Sequence, residues 1–170
     1  MNIFVLDKCS RTNVRMYCDQ HIVKMIIETA QLLCSVHHVL HVNSDIPYKL
    51  SHKNHPCALW ARQSLDNYNW LVRLGQEMCA EYHVRYNKTH KSASVIDWAY
   101  HNVPMLDSTG LTPFPQCMPS EYQCSDPIEA YRAYYCYKYM YSLRSRRTRM
   151  RYTHRPIPDF LLKEMRHEYK

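Results

Sequence analysis

Residues 12–41 read TNVRMYCDQHIVKMIIETAQLLCSVHHVLH, and this stretch decides the fold. Thr12 or Asn13 can cap a helix that runs to about His41. Most sides of that helix are apolar, with Val14, Ile22, Met25, Ile26, Leu33 and Val36 spread around its circumference. The polar residues fall on Gln20 and His21, then Lys24, Glu28, Gln31, Ser35 and His38, in alternating steps of three and four. Such steps stack side chains on one narrow face. A helix apolar nearly all round sits at the centre of a domain, and its polar stripe meets solvent or floors a cleft.

Working outward, residues 42–55 form a polar loop, and Pro56 opens a second long helix at the position where proline is tolerated. Its core stripe is Leu65, Tyr68, Val72, Gly75, Cys79, Tyr82 and Tyr86. Arg62/Asp66, Arg73/Glu77 and Glu81/Arg85 are spaced i, i+4 and are expected on exposed faces, with Glu81 and Arg85 as an ordinary surface ion pair. A shorter helix is expected over 92–102. Residues 104–127 hold five of the nine prolines, so an irregular but ordered wrap over the core is expected there. Asp126-Pro127-Ile128-Glu129 reads as cap, first turn and capping-box acid of a tyrosine-rich helix. A final short helix covers about 159–168. The opening run Ile3-Phe4-Val5-Leu6 fits either a buried extended segment or the lead-in to a helix. The expected architecture is all-α, with two long antiparallel helices, shorter helices and the proline-rich wrap. The expected division is one helical domain over 1–143 and a basic C-terminal tail over 144–170.

Composition excludes several function classes. Gly75 and Gly110 are the only glycines in 170 residues, too few for a P-loop, a dinucleotide fingerprint or the flanked serine of an α/β-hydrolase. The net charge of +7 lies at one end: residues 1–137 hold 12 basic and 12 acidic side chains, and residues 138–170 hold 10 and 3. A basic block of this kind points to a polyanion, and its interleaved tyrosines favour nucleic acid over a merely solubilising tail. No run of 18 apolar residues is present, so no membrane partner is expected. The opening residues lack a basic start followed by a long apolar stretch. Together with eight cysteines free of any Cys-x-x-Cys pair, this predicts reduced thiols and an intracellular protein, in a host-cell cytoplasm or a virion and not secreted. No cofactor and no metal site are expected.

Four constellations offer chemistry. His21, Lys24 and Glu28 share one side of two helical turns, where a carboxylate among apolar neighbours is a general acid/base candidate and a lysine is a charge partner or an amine nucleophile. The bland alternative is a solvated ion pair with His21 as bystander. Asn54-His55-Pro56 with Arg62 offers a phosphate site at a helix start, or simply a cap. His37, His38, His41, His52 and His55 lie near one another in sequence but lack a local third ligand. Arg144, Arg146, Arg147, Arg149 and Arg151 follow six tyrosines, a mixture suited to phosphates and exposed bases.

Met1 to Asp7, Cys18-Asp19-Gln20-His21 onward, Asn54-His55-Pro56-Cys57 and Thr112-Pro113-Phe114-Pro115-Gln116-Cys117-Met118-Pro119 resemble a group of uncharacterised phage and large-virus proteins. More distantly, Asp19-Gln20-His21 followed by Glu28, with a His-led second helix at His55, resembles the pyrimidine-dimer DNA glycosylases of the phage endonuclease V type. The resemblance implies a small, basic, all-α enzyme with Glu28 as catalytic carboxylate and His21 as a DNA-contacting residue. That family attacks with the α-amine of a threonine exposed by Met removal. Asn2 is too bulky for efficient Met removal, so by this resemblance only the Met1 amine would be available for that role here. Ile27 and Thr29 flank Glu28 where the family places arginines. The implied function is a viral base-excision DNA glycosylase and lyase acting on double-stranded DNA. The alternatives are a non-enzymatic nucleic-acid-binding viral protein and a virion or host-interaction protein.

Overall fold

The computed structural model describes residues 1–41, 45–144 and 149–168. Among these residues the chain is all-α: α1 Ser10–Arg15, α2 Asp19–Leu40, α3 Pro56–Ala61, α4 Leu65–Tyr86, α5 Ala93–His101, a 3-10 turn at Ser120–Tyr122, α6 Pro127–Leu143 and α7 Asp159–Glu168. Helices α2 and α4 form the central pair. Arg85, near the end of α4, reaches Asp19 at the start of α2, and Tyr68 near the start of α4 reaches His37 near the end of α2. The two therefore run antiparallel.

Each expected long helix is broken near its start. The first breaks at Met16-Tyr17-Cys18, between α1 and α2. Tyr17 is fully buried and its hydroxyl donates to the Phe4 carbonyl, while the Cys18 N–H donates to the Tyr135 hydroxyl at 2.9 Å. Tertiary partners thus replace helical ones, which apolar periodicity does not reveal. The second breaks between α3 and α4, where the Ser64 hydroxyl accepts the Asn67 N–H at 3.1 Å and starts a new helix. Gly75 lies where α4 meets α5: a Cβ there would come within 2.9 Å of Ile96.

Ile3-Phe4-Val5-Leu6 is the buried extended segment, with all four residues in the core. Among the described residues it has no sheet to join, so its polar backbone must find side chains. Asn13, fully buried, supplies them: its Oδ1 accepts the Leu6 N–H at 2.6 Å and its Nδ2 donates to the Phe4 carbonyl at 3.0 Å. Arg132 of α6 donates to the Leu6 carbonyl at 2.8 Å.

The proline-rich wrap is irregular and anchored. Asn67 and Thr112 exchange two hydrogen bonds, Asn67 Nδ2 to Thr112 Oγ1 at 2.7 Å and Thr112 N–H to Asn67 Oδ1 at 2.9 Å. Phe114 packs on Trp60 and Trp70 with ring centroids 5.3 and 4.7 Å away. On α6 the tyrosines divide by face. Tyr131, Tyr135 and Tyr139 recur every four residues and are buried, while Tyr134, Tyr137 and Tyr141 face outward, with Tyr122 packed against Tyr134 and Tyr137.

Replacing Asn13 tests the clamp. Asn13→Ala strands the buried Leu6 N–H, worth about 1–3 kcal/mol, while the Phe4 carbonyl keeps the Tyr17 hydroxyl. Chemical denaturation should show a loss of at least about 1 kcal/mol with the helical far-UV signal kept below the transition.

Candidate active site

The extended segment carries the chain's first residues onto the polar stripe of α2. Glu28 is only 7 % exposed. Its Oε2 accepts the Asn2 N–H at 2.9 Å and lies 3.7 Å from the Met1 nitrogen, and its Oε1 lies 3.3 Å from Lys24 Nζ. The Lys24 side chain is 68 % exposed, so that pair is partly screened by water, whereas the Met1 nitrogen sits at a side chain 1 % exposed. Asn2 fixes the approach: its Nδ2 donates to the Cys117 carbonyl at 3.0 Å and its Oδ1 accepts the Tyr131 hydroxyl at 2.8 Å. A carboxylate and an amine are thereby held together on one side of the protein.

His21 shares this side of α2 but faces inward. Its ring stacks on Phe4 with centroids 4.6 Å apart, and Nδ1 lies 2.8 Å from the Tyr135 hydroxyl. Burial first, and then the positive charges of Lys138 and Lys24, push the imidazole down to about 3. His21 is therefore neutral at physiological pH.

At the start of α3, His55 is the cap: its Nδ1 accepts the Cys57 N–H at 3.2 Å. Burial lowers the His55 pKa first, then the chain's amino terminus and His52, against the opposing pull of Glu28. Glu28, the amino terminus and His55 therefore share one electrostatic neighbourhood. Arg62 is turned back into the preceding loop, donating to the Lys53 carbonyl at 2.7 Å and to the Ala58 carbonyl at 3.3 Å. Asn54 is exposed beside them. Of the other histidines in that group, His37 meets the Tyr68 hydroxyl at 2.8 Å, His38 the Tyr48 carbonyl at 2.8 Å, and the His52 ring packs edge-on against His55 with centroids 6.4 Å apart. Instead, His55, Cys57 and Cys117 converge, with donor atoms all within 4.8 Å.

The basic segment is joined to the helical body. The Arg151 carbonyl accepts the Asp19 N–H at 2.8 Å, the Arg149 carbonyl accepts from Gln20 Nε2 at 2.7 Å, and Thr153 donates to Asp19 from both N–H and hydroxyl. Arg149 and Arg151 are exposed and line a groove of about 640 Å³ with Gln20, Tyr86 and Lys88. Arg144 is exposed at the end of α6, whereas Arg146 and Arg147 lie outside the described residues.

Glu81 and Arg85 are not the expected surface pair. Both are buried, 2.8 Å apart; Arg85 also holds Asp19 at 3.0 Å, and Arg155 grips both Glu81 oxygens at 2.8 and 2.9 Å. The two charges packed against this pair, Asp19 and Arg155, come from α2 and the C-terminal segment, which i, i+4 spacing cannot show. Of the other expected pairs, Glu77 meets Arg11 at 3.3 Å, and Asp66 accepts from Ser108 and the Gly110 N–H. Sequence reasoning also passed over Asn2, Tyr131 and Tyr135, which position the site; the four-residue repeat of the α6 tyrosines is the signal that could have flagged the latter two.

Burial alone would raise the pKa of Asp19 and Glu81. Hydrogen bonds from Thr153 and Arg85 to Asp19, and from Arg155 and Arg85 to Glu81, hold both below the ordinary carboxylate range. Folded pKa values below the unfolded ones give stability that is complete above about pH 4–5 and lost as pH falls through the folded values. Glu81→Gln, which leaves Arg85 short of its buried partner, should cost about 3 kcal/mol at neutral pH. Urea titrations from pH 7 to 3 should show a shallower acid loss in the variant than in the parent chain.

Residues 1–94, more than half of the chain, match the model of a family described as pyrimidine dimer DNA glycosylase. The chain matches no curated protein and no solved structure.

Proposed function

The chain belongs to the pyrimidine dimer DNA glycosylase family, and on that premise we propose that the Met1 α-amine is its nucleophile and Glu28 its catalytic carboxylate. The observation that carries this reading is the Met1 nitrogen 3.7 Å from Oε2 of a carboxylate only 7 % exposed. The amine lone pair forms a bond to C1′ of the damaged nucleotide as the glycosidic C–N bond breaks. That bond's electrons leave with the base, which takes up a proton. Glu28 stabilises the positive charge that grows on the sugar, where a preformed opposite charge is most effective. The new nitrogen then loses a proton and the C1′–O4′ bond opens, giving an imine. Loss of a C2′ proton from the imine expels the 3′ phosphate, which is the lyase step. The target nucleotide or its partner must leave the stack to reach this position.

The DNA-binding face in this reading runs along the polar stripe of α2. At one end are Arg144, Arg149, Arg151 and Lys138, in the middle Gln20, His21 and Lys24, and at the other Asn54, His55 and Arg62. Neutral His21 suits a hydrogen bond to a base or sugar better than a charge contact. Double-stranded DNA is the proposed partner, and an intracellular viral setting fits it.

Ultraviolet-irradiated duplex with borohydride tests the chemistry. The parent chain should be trapped on irradiated DNA and not on undamaged DNA. Glu28→Gln should lower trapping and strand cleavage by about 10²-fold or more while duplex affinity stays within a few fold. Binding without any adduct would return the protein to the non-enzymatic reading. Salt titration tests the face: about four to six phosphate contacts give a slope of log affinity on log salt near −4 to −5, and Arg149→Gln with Arg151→Gln should flatten it by about 2.

A further inference from the structure

His55, Cys57 and Cys117 meet beside the amino terminus although 60 residues separate the two cysteines. We propose that these three side chains form a binding site for a zinc-like divalent cation, distinct from the amine–carboxylate pair and structural in its effect. The Cys57 and Cys117 sulfurs are 3.6 Å apart, and all three donor atoms lie within 4.8 Å. Two thiolates on one tetrahedral zinc, each at about 2.3 Å, are separated by about 3.8 Å, so the sulfurs already stand at ligand spacing. A zinc-bound imidazole nitrogen stands about 3.5 Å from each such sulfur, so the imidazole needs to close by about 1.3 Å at most. Imidazole and two thiolates are the donor set that borderline-soft cations prefer.

Each ligand stands on an anchored element. His55 and Cys57 occupy the first turn of α3, while Cys117 in the wrap is held through its carbonyl by Asn2 and through its N–H by the Tyr131 hydroxyl at 3.3 Å. Three protein donors leave a fourth position for water. The bound cation would tie α3 to the wrap at the point where the wrap grips Asn2, and so brace the residue that follows the proposed nucleophile.

Cobalt(II) titration of the full, reduced chain is the test. One cobalt per chain is expected, with thiolate charge-transfer absorption and the intense visible bands of a tetrahedral site, both displaced by zinc. Cys57→Ser and Cys117→Ser should each weaken binding by at least about a hundredfold, beyond the 10–100-fold typical of residues that merely orient a ligand. Cys9→Ser with Cys124→Ser, both at exposed positions, should leave it unchanged. If a serine variant folds poorly, His55→Asn keeps a capping side chain and must still lower affinity at least about tenfold. Zinc should raise the melting temperature of the parent chain and not of the ligand variants. Glu28→Gln should retain cobalt binding, so the metal site and the proposed excision chemistry fail separately. No cobalt bands with all eight thiols titratable, or bands that survive in both serine variants, would overturn the proposal.

Discussion

Asn13 makes the rest of the structure possible. A short extended segment with no sheet to join among the described residues carries donors and acceptors that burial leaves costly. One amide meets two of them, on Leu6 and Phe4, and also reaches the Tyr17 hydroxyl. Ile3–Leu6 can then lie in the middle of the helices, with Phe4 stacked on His21. Everything at the candidate site follows from that path. Met1 and Asn2 are delivered to Glu28 because the four residues after them are locked into the core. The break between α1 and α2 belongs to the same arrangement, since Tyr17 must leave the helical path to close over Phe4.

A second polar system holds the other end of the stripe. Asp19 and Glu81 receive Arg85 from within the helical pair and Thr153 and Arg155 from the C-terminal segment. Buried charges of this kind add little net stability over an apolar core, but breaking one is expensive. Their effect is positional: they fix Arg149 and Arg151 beside Gln20, so the basic residues border the same face of α2 that carries His21, Lys24 and Glu28. Arg149 and Arg151 are thus presented next to the candidate site.

The all-helical class was legible because α2 and α4 have strong apolar periodicity and clear starts, and the polar stripe was legible because its steps of three and four have no other helical reading. Glu28 with Met1 was legible through resemblance and spacing together. The breaks at Tyr17-Cys18 and Ser64 were not, because distant partners, Phe4, Tyr135 and the wrap, outweigh local helical preference there. The burial of Glu81 and Arg85 was hidden for a similar reason: an i, i+4 pair looks the same on a wet face as under a third charge brought from residue 155. The meeting of Cys57 with Cys117 lies beyond any local pattern, since the wrap that delivers Cys117 has no regular structure to extrapolate.

The central claim is that the buried extended segment exists to bring the chain's first nitrogen to Glu28. The most direct measurement is peptide mapping of the borohydride-trapped adduct by mass spectrometry. Two amines border Glu28, on Met1 and Lys24. The account predicts the sugar remnant on the α-nitrogen of the peptide beginning at Met1. A remnant on the Lys24 side chain, with the Met1 amine unmodified, would contradict it.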